Sequence, residues 1–171
     1  MYDTLHMKDT LLGSVKMLFN EALQTAISYE AYAALMAKLV EDKSTTGNQL
    51  TEALINYTLL NEARMRRVLK KVEVPTHVAA DFKTITRPQT WLVLTESWCG
   101  DAAHILPVIN KVAELNDHIN FRIVLRDQHD DLMNLFLTNG GKSIPKLLML
   151  DKTSNEVLNT FGPRPKIATD M

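Results

Sequence analysis

The 171-residue chain has one cysteine, Cys99, so no disulfide can form within it and a disulfide scaffold is excluded. A single unpaired thiol suits a reducing compartment, and a cytoplasmic location is expected. Long hydrophobic runs are missing as well: no stretch approaches the roughly 18 to 20 apolar residues that span a bilayer. The start, Met1-Tyr2-Asp3-Thr4, lacks the basic flank and apolar core of a signal peptide. Charge of one sign is absent too. A net charge of −1 gives no broad pull toward nucleic acid or a membrane surface, and neither is expected as a partner. Proline is absent between residues 8 and 73, where glycine occurs only as Gly13 and Gly47. What is present, 46% hydrophobic and 23% charged residues, is the composition of a globular protein able to bury a core.

The proline-free stretch reads as three helices. Leu11, Val15, Leu18, Phe19, Ala22 and Ala26 form a first apolar stripe. A break is expected at Ile27-Ser28, where Ser28 can cap a new helix and Ile27 and Tyr32 stand as a hydrophobic staple. The second helix buries Tyr32, Leu35, Met36, Leu39 and Val40, and Lys43 to Asn48 is turn material. The third runs from about Gln49 to Glu73 with Leu50, Leu54, Tyr57, Val68, Leu69 and Val72 inward, and Pro75 ends it. Its basic end, Arg64, Arg66, Arg67, Lys70 and Lys71, is either a docking patch for an acidic partner or a solvated face complementing the helix C-terminus.

After a connection with a short helix near Val78 to Phe82, the pattern changes. Thr90 to Thr95 is a buried strand, Ile119 to Leu125 alternates as a strand, and Asp130 to Leu137 is a helix. Thr138 to Lys142 is a glycine turn, and Lys146 to Leu150 and Val157 to Phe161 are strands. Between the first strand and a helix starting near Ala102 lies Ser97-Trp98-Cys99-Gly100-Asp101. A cysteine there meets unpaired backbone N–H groups and the positive end of a helix dipole, which favour a thiolate. The alternative is a small buried hydrophobe.

Strand, Trp98-Cys99-Gly100, helix with Pro107, then Ser143-Ile144-Pro145 opening a strand: this ordered set resembles the thioredoxin superfamily over roughly residues 78 to 165. Trp-Cys-Gly-Asp-Ala, the run Thr138 to Pro145, and Phe161-Gly162-Pro163-Arg164-Pro165 are similar to a bacterial branch that carries a helical N-terminal extension. The resemblance implies an α/β, thioredoxin-like fold: a central sheet of about four strands flanked by helices, with an α-helical N-terminal extension. It implies an extension over residues 1–75 and a thioredoxin-like domain over 76–171; the family's usual final helix has no counterpart after Pro163, so either it is absent or the sequence is truncated there. It also implies a cis peptide bond before Pro145, with the Ile144 backbone turned toward the Cys99 sulfur.

Two departures from that family qualify the chemistry. The position of the second, resolving cysteine is Ala102, so the two-cysteine cycle is excluded. The position of the family's buried carboxylate is Val93, while Glu96 belongs to the exposed strand end. Asp101 opposes thiolate formation, and a Cys99 pKa of roughly 6.5 to 8 is expected. The resulting expectation is a single-cysteine thiol–disulfide exchange protein. Cys99 is its nucleophile, and Trp98, Gly100, Asp101, Ile144 and Pro145 shape the substrate site. Its partners are a protein or small-molecule disulfide and an external low-molecular-weight thiol acting as co-substrate. No bound cofactor or metal is expected, since Cys99, Asp101 and His104 fall on different faces and no second Cys/His pair exists. His104 reads as a surface residue, and Arg164 either reaches an anion near the site or lies on a loop surface. The competing expectation is a non-enzymatic binding module with an incidental cysteine.

Overall fold

A computed structural model describes residues 2–165 of the chain, with the side chains of 13–165. Four helices come first: α1 (Tyr2–Thr25), α2 (Tyr29–Glu41), α3 (Glu52–Lys71) and α4 (Thr76–Lys83). Then follow β1 (Gln89–Thr95), α5 (Gly100–Ala113), β2 (Ile119–Leu125), α6 (Asp130–Asn134), β3 (Lys146–Asp151) and β4 (Val157–Phe161). The strands form one mixed sheet in the order β2-β1-β3-β4. β1 and β2 are parallel, joined through α5 as a βαβ unit, whereas β3 and β4 add on antiparallel. As the second strand in that order, β1 is covered on both faces, which is why Trp91, Leu92, Val93 and Leu94 are all buried without alternation.

The helix boundaries follow from local chemistry. Ser28 caps α2 by accepting the Ala31 N–H, as its position before the apolar stripe predicts. The linker ahead of it does more than turn. Ile27 exchanges two 2.9 Å backbone hydrogen bonds with Ile123, so the break between α1 and α2 pairs with β2 and covers its outer edge. Phe19 and Ala22 of α1 are buried as expected; Leu11 lies outside the residues whose side chains are described. Thr51 caps α3, and α6 stops at Asn134 rather than Leu137, with Leu132 and Met133 as its buried residues. The expected absence of a final helix falls on residues 166–171, outside the described residues.

α3 corrects the sequence-based stripe. Leu50 and Tyr57 are exposed, at 69% and 52%, while Thr58, Asn61 and Met65 are buried. The reason is its neighbour. α3 packs along α5 and beside the Ser97 turn, where polar groups need partners, so its inward face carries a hydroxyl and an amide. Among the described residues no helix is long and apolar enough to cross a membrane.

Candidate functional site

Cys99 is the N-cap residue of α5, with extended backbone dihedrals that turn β1 into the helix. Behind it stands a knot of buried hydroxyls. Ser97 Oγ lies 3.0 Å from Thr45 Oγ1 and 2.9 Å from Thr58 Oγ1, and it accepts the Thr46 N–H and hydroxyl. Thr46 Oγ1 in turn accepts the Ser97 N–H, and Asn61 Nδ2 donates to the Ser97 carbonyl at 3.0 Å. These bonds fix the Trp98-Cys99 turn from two sides, the α2–α3 loop and α3 itself. Neither side was legible as part of the site. Its one sequence signal was the helical spacing of Thr58, Asn61 and Met65, which an apolar stripe search passes over.

The sulfur faces Ile144. The Ile144–Pro145 bond is cis, as the resemblance implied, and the thiol donates to the Ile144 carbonyl at 3.3 Å across 45 positions of sequence. Gly162 packs directly on this corner at φ +117; a Cβ there would lie 2.1 Å from the Pro145 carbonyl oxygen, so only glycine fits. The bond after it, Gly162–Pro163, is also cis. Lys146, buried one residue past Pro145, donates to Thr138 Oγ1 at 2.6 Å and ties the glycine turn to the same corner.

Two expectations about the thiol and its neighbour are corrected. Cys99 is 7% exposed, and burial pushes its pKa up rather than into the 6.5 to 8 range. The Ala102 and Asp101 amides and the Arg126 guanidinium pull it down, and the Asp101 carboxylate pushes it up further, but desolvation is the largest effect. Helix position alone did not reveal how deeply the turn is set. Glu96, expected at an exposed strand end, is fully buried. One of its carboxylate oxygens accepts the Asp127 N–H at 2.8 Å and the other has no hydrogen-bond partner. Burial raises its pKa, with the Asp127 carboxylate adding to the rise and the Thr46 hydroxyl opposing it.

A cleft of about 1080 Å³ opens over Cys99. Trp98, Gly100, Asp101 and Ile144 line it, whereas Pro145, next to Ile144, is buried and not among the lining residues. Half-buried Leu54 and exposed Tyr57 of α3 form one wall, and the glycine turn and the Gly162-Pro163-Arg164 tail form others. Trp98 is half-buried and carries the Arg126 guanidinium 5.1 Å above its ring. Arg164 pairs with Asp101 at 2.8 Å, next to the cysteine. Arg64 of the basic helix end comes within 3.7 Å of the space beside Gly100 and donates to Asn61, so this one residue of the basic run reaches the site. His104 is exposed on α5, and Val93 is a core residue of β1.

A mixed sheet in this order, a cysteine capping the helix after the first strand, and a cis-proline against its sulfur define a thioredoxin fold with one thiol. The chain belongs to the thioredoxin family, whose model matches residues 47–171 and so takes in α3 as well as the sheet. Two solved structures share the fold. One is the 1.5 Å crystal structure of a protein of unknown function from Pseudomonas aeruginosa, 18% identical, with a TM-score of 0.66 over 89% of this chain and 80% of that one. The other is an HIV epitope-scaffold, 20% identical, with a TM-score of 0.68 over 90% of this chain and 81% of that one. No curated protein matches the sequence.

Proposed function

We propose that the chain is a single-cysteine thiol–disulfide exchange protein. The supporting observation is the place of Cys99: it lines the cleft at the N-terminus of α5, opposite Ile144, with Ala102 one helical turn away where a second thiol would resolve it. In the first step Cys99 loses its proton to solvent and its thiolate attacks one sulfur of a disulfide. A new S–S bond forms, the old one breaks, and the departing thiolate leaves with the electron pair. In the second step an external thiolate attacks the incoming group's sulfur, and Cys99 departs as thiolate. No net oxidant is needed, since one disulfide is consumed for each one made. The carbonyl of Ile144 and the desolvation of the sulfur hold the resting thiol protonated, so reactivity rises with pH.

A second reading, a binding module without thiol chemistry, draws on that same raised pKa. Intact-protein mass spectrometry after treatment with oxidised glutathione separates the two. Exchange gives one glutathionyl adduct on the wild type and none on Cys99→Ser. In Ala102→Cys the adduct is released as an internal disulfide. A wild type that stays unmodified through pH 9 would sink the exchange reading and leave the binding module.

A further inference from the structure

The cleft over Cys99 is not neutral. Three cations line it, Arg126, Lys142 and Arg164, against one carboxylate, Asp101, although the whole chain carries a net −1. Arg164 is committed to Asp101, which leaves Arg126 and Lys142 as the other cations of the cleft. These two are tied together, Arg126 Nη1 donating to the Lys142 carbonyl at 3.2 Å, and both also border an adjoining hollow of about 420 Å³. Each has an acidic neighbour there: Arg126 Nε donates to Asp127 and its guanidinium forms an ion pair with the same carboxylate, and Asp130 pairs with Lys142. The Lys142–Asp130 pair is exposed on both sides, so a carboxylate entering the cleft can take a share of that ammonium at little cost. Arg126 is held over the ring of Trp98, the residue before Cys99 in the sequence, with guanidinium N–H groups to spare.

The cleft volume also bears on the occupant. At about 1080 Å³ it lies just above the roughly 300–1,000 Å³ range of small-ligand pockets. Leu54, Tyr57, the glycine turn and the tail line it, which leaves room for a small molecule beside the sulfur.

We propose that the group Cys99 accepts is a small carboxylate-bearing thiol, seated with its carboxylate toward Lys142 and Arg126. The substrate class is then the mixed disulfide of such a thiol, and the proposal rests on the exchange reading above. The atoms balance as before: the Cys99 thiolate attacks the small thiol's sulfur, the S–S bond to the original carrier breaks, and the carrier leaves as thiolate. A second molecule of the small thiol then attacks the bound one, giving its symmetric disulfide and free Cys99.

Two measurements test this. In the first, adduct formation is timed with oxidised glutathione, which is anionic, and with bis(2-hydroxyethyl) disulfide, which is neutral. Lys142→Gln lowers the ratio of the anionic to the neutral rate by roughly tenfold, the size of a lost charged hydrogen bond, and Lys142→Arg restores it. Added salt lowers the same ratio in the wild type. A ratio unchanged in Lys142→Gln, or a wild type that prefers the neutral disulfide, overturns the proposal and leaves the exchange reading intact. In the second, calorimetry follows S-methylglutathione, which cannot exchange, binding to Cys99→Ser. Binding that weakens in the double variant with Lys142→Gln supports the carboxylate seat by itself; an inert Cys99 would then overturn the exchange reading and the transfer to Cys99 together, leaving the seat as a binding site. No binding to Cys99→Ser, together with faster exchange on an acidic protein disulfide than on oxidised glutathione, would assign the cations to a protein partner instead.

Discussion

Cys99 and Glu96, three residues apart, are both titratable groups whose burial favours the protonated form. Burial raises both pKa values, and the sign of the consequence is the same for each. The folded state keeps a proton that the unfolded state has released, so stability is fully present below the ordinary pKa and declines as pH rises through the folded one. For Glu96 the decline begins above its ordinary value of 4.5. Glu96→Gln keeps an acceptor for the Asp127 N–H and removes the titration. Urea unfolding from pH 4.5 to 8 should therefore fall less steeply in the variant than in the wild type. An equal slope in both would mean that Glu96 ionises in the folded protein at no cost. For Cys99, the rate of iodoacetamide alkylation against pH should show a midpoint above the roughly 8.5 of free cysteine. A midpoint below that value would mean that the helix amides and Arg126 outweigh desolvation. Sequence placed Cys99 at a helix start correctly and still missed its pKa, because proximity to a dipole is a local property and burial is not. Glu96 was misread for the same reason: what covers it is Asp127 and the α2–α3 loop, 31 residues later and about 50 residues earlier.

At the scale of elements, periodicity and turn chemistry were sufficient for most of the fold. β2 has the bounds its alternation indicated and β4 those expected after the polar turn, and the Ser28 cap stands where a serine precedes an apolar stripe. α3 was placed but rotated, since its buried face is chosen by hydrogen-bonding partners on the Ser97 turn rather than by hydrophobicity. That face can be tested directly. Ser97→Ala removes an acceptor shared by the Thr46 amide and two or more hydroxyls, leaving buried donors unpaired, and should cost about 1–3 kcal/mol by urea titration. Leu50→Ser, exposed just ahead of the Thr51 cap, should stay within about 0.5 kcal/mol of the wild type. The loop that completes the knot has a narrower tolerance. Gly47 sits at φ +94, and a Cβ would lie 2.9 Å from the Asp127 carboxylate and 3.2 Å from Trp98 Nε1. Gly47→Ala should destabilise by about 1–3 kcal/mol. It should also change Trp98 fluorescence in the folded state, since the loop must give way beside the indole. Unchanged fluorescence and stability together would detach that loop from the site.

Across the whole molecule, the question is whether the helices before Pro75 form a unit of their own. The contacts argue against separability. α1 packs on β2 and α6, the α1–α2 linker pairs with Ile123, α2 lies against β2, and α3 runs along α5. The hydroxyl knot spans the same divide, with Thr45, Thr46, Thr58 and Asn61 on one side and Ser97 on the other. Removing the helices would leave the Ser97 backbone, the β2 edge and the buried face of α5 open to water, each at the cost of lost hydrogen bonds or exposed apolar surface. The two tryptophans, Trp91 in the core of β1 and Trp98 in the site, both lie after Pro75, whereas much of the helix lies before it. Fluorescence therefore reports the sheet and far-ultraviolet circular dichroism reports the helical layer as well. Urea unfolding followed by the two signals should give one midpoint, and Asn61→Ala in the helical layer should shift both midpoints down together. A circular dichroism transition that precedes the fluorescence change, with Asn61→Ala moving only the earlier one, would show that the helical layer unfolds independently of the thioredoxin sheet and that Cys99 keeps its setting without it.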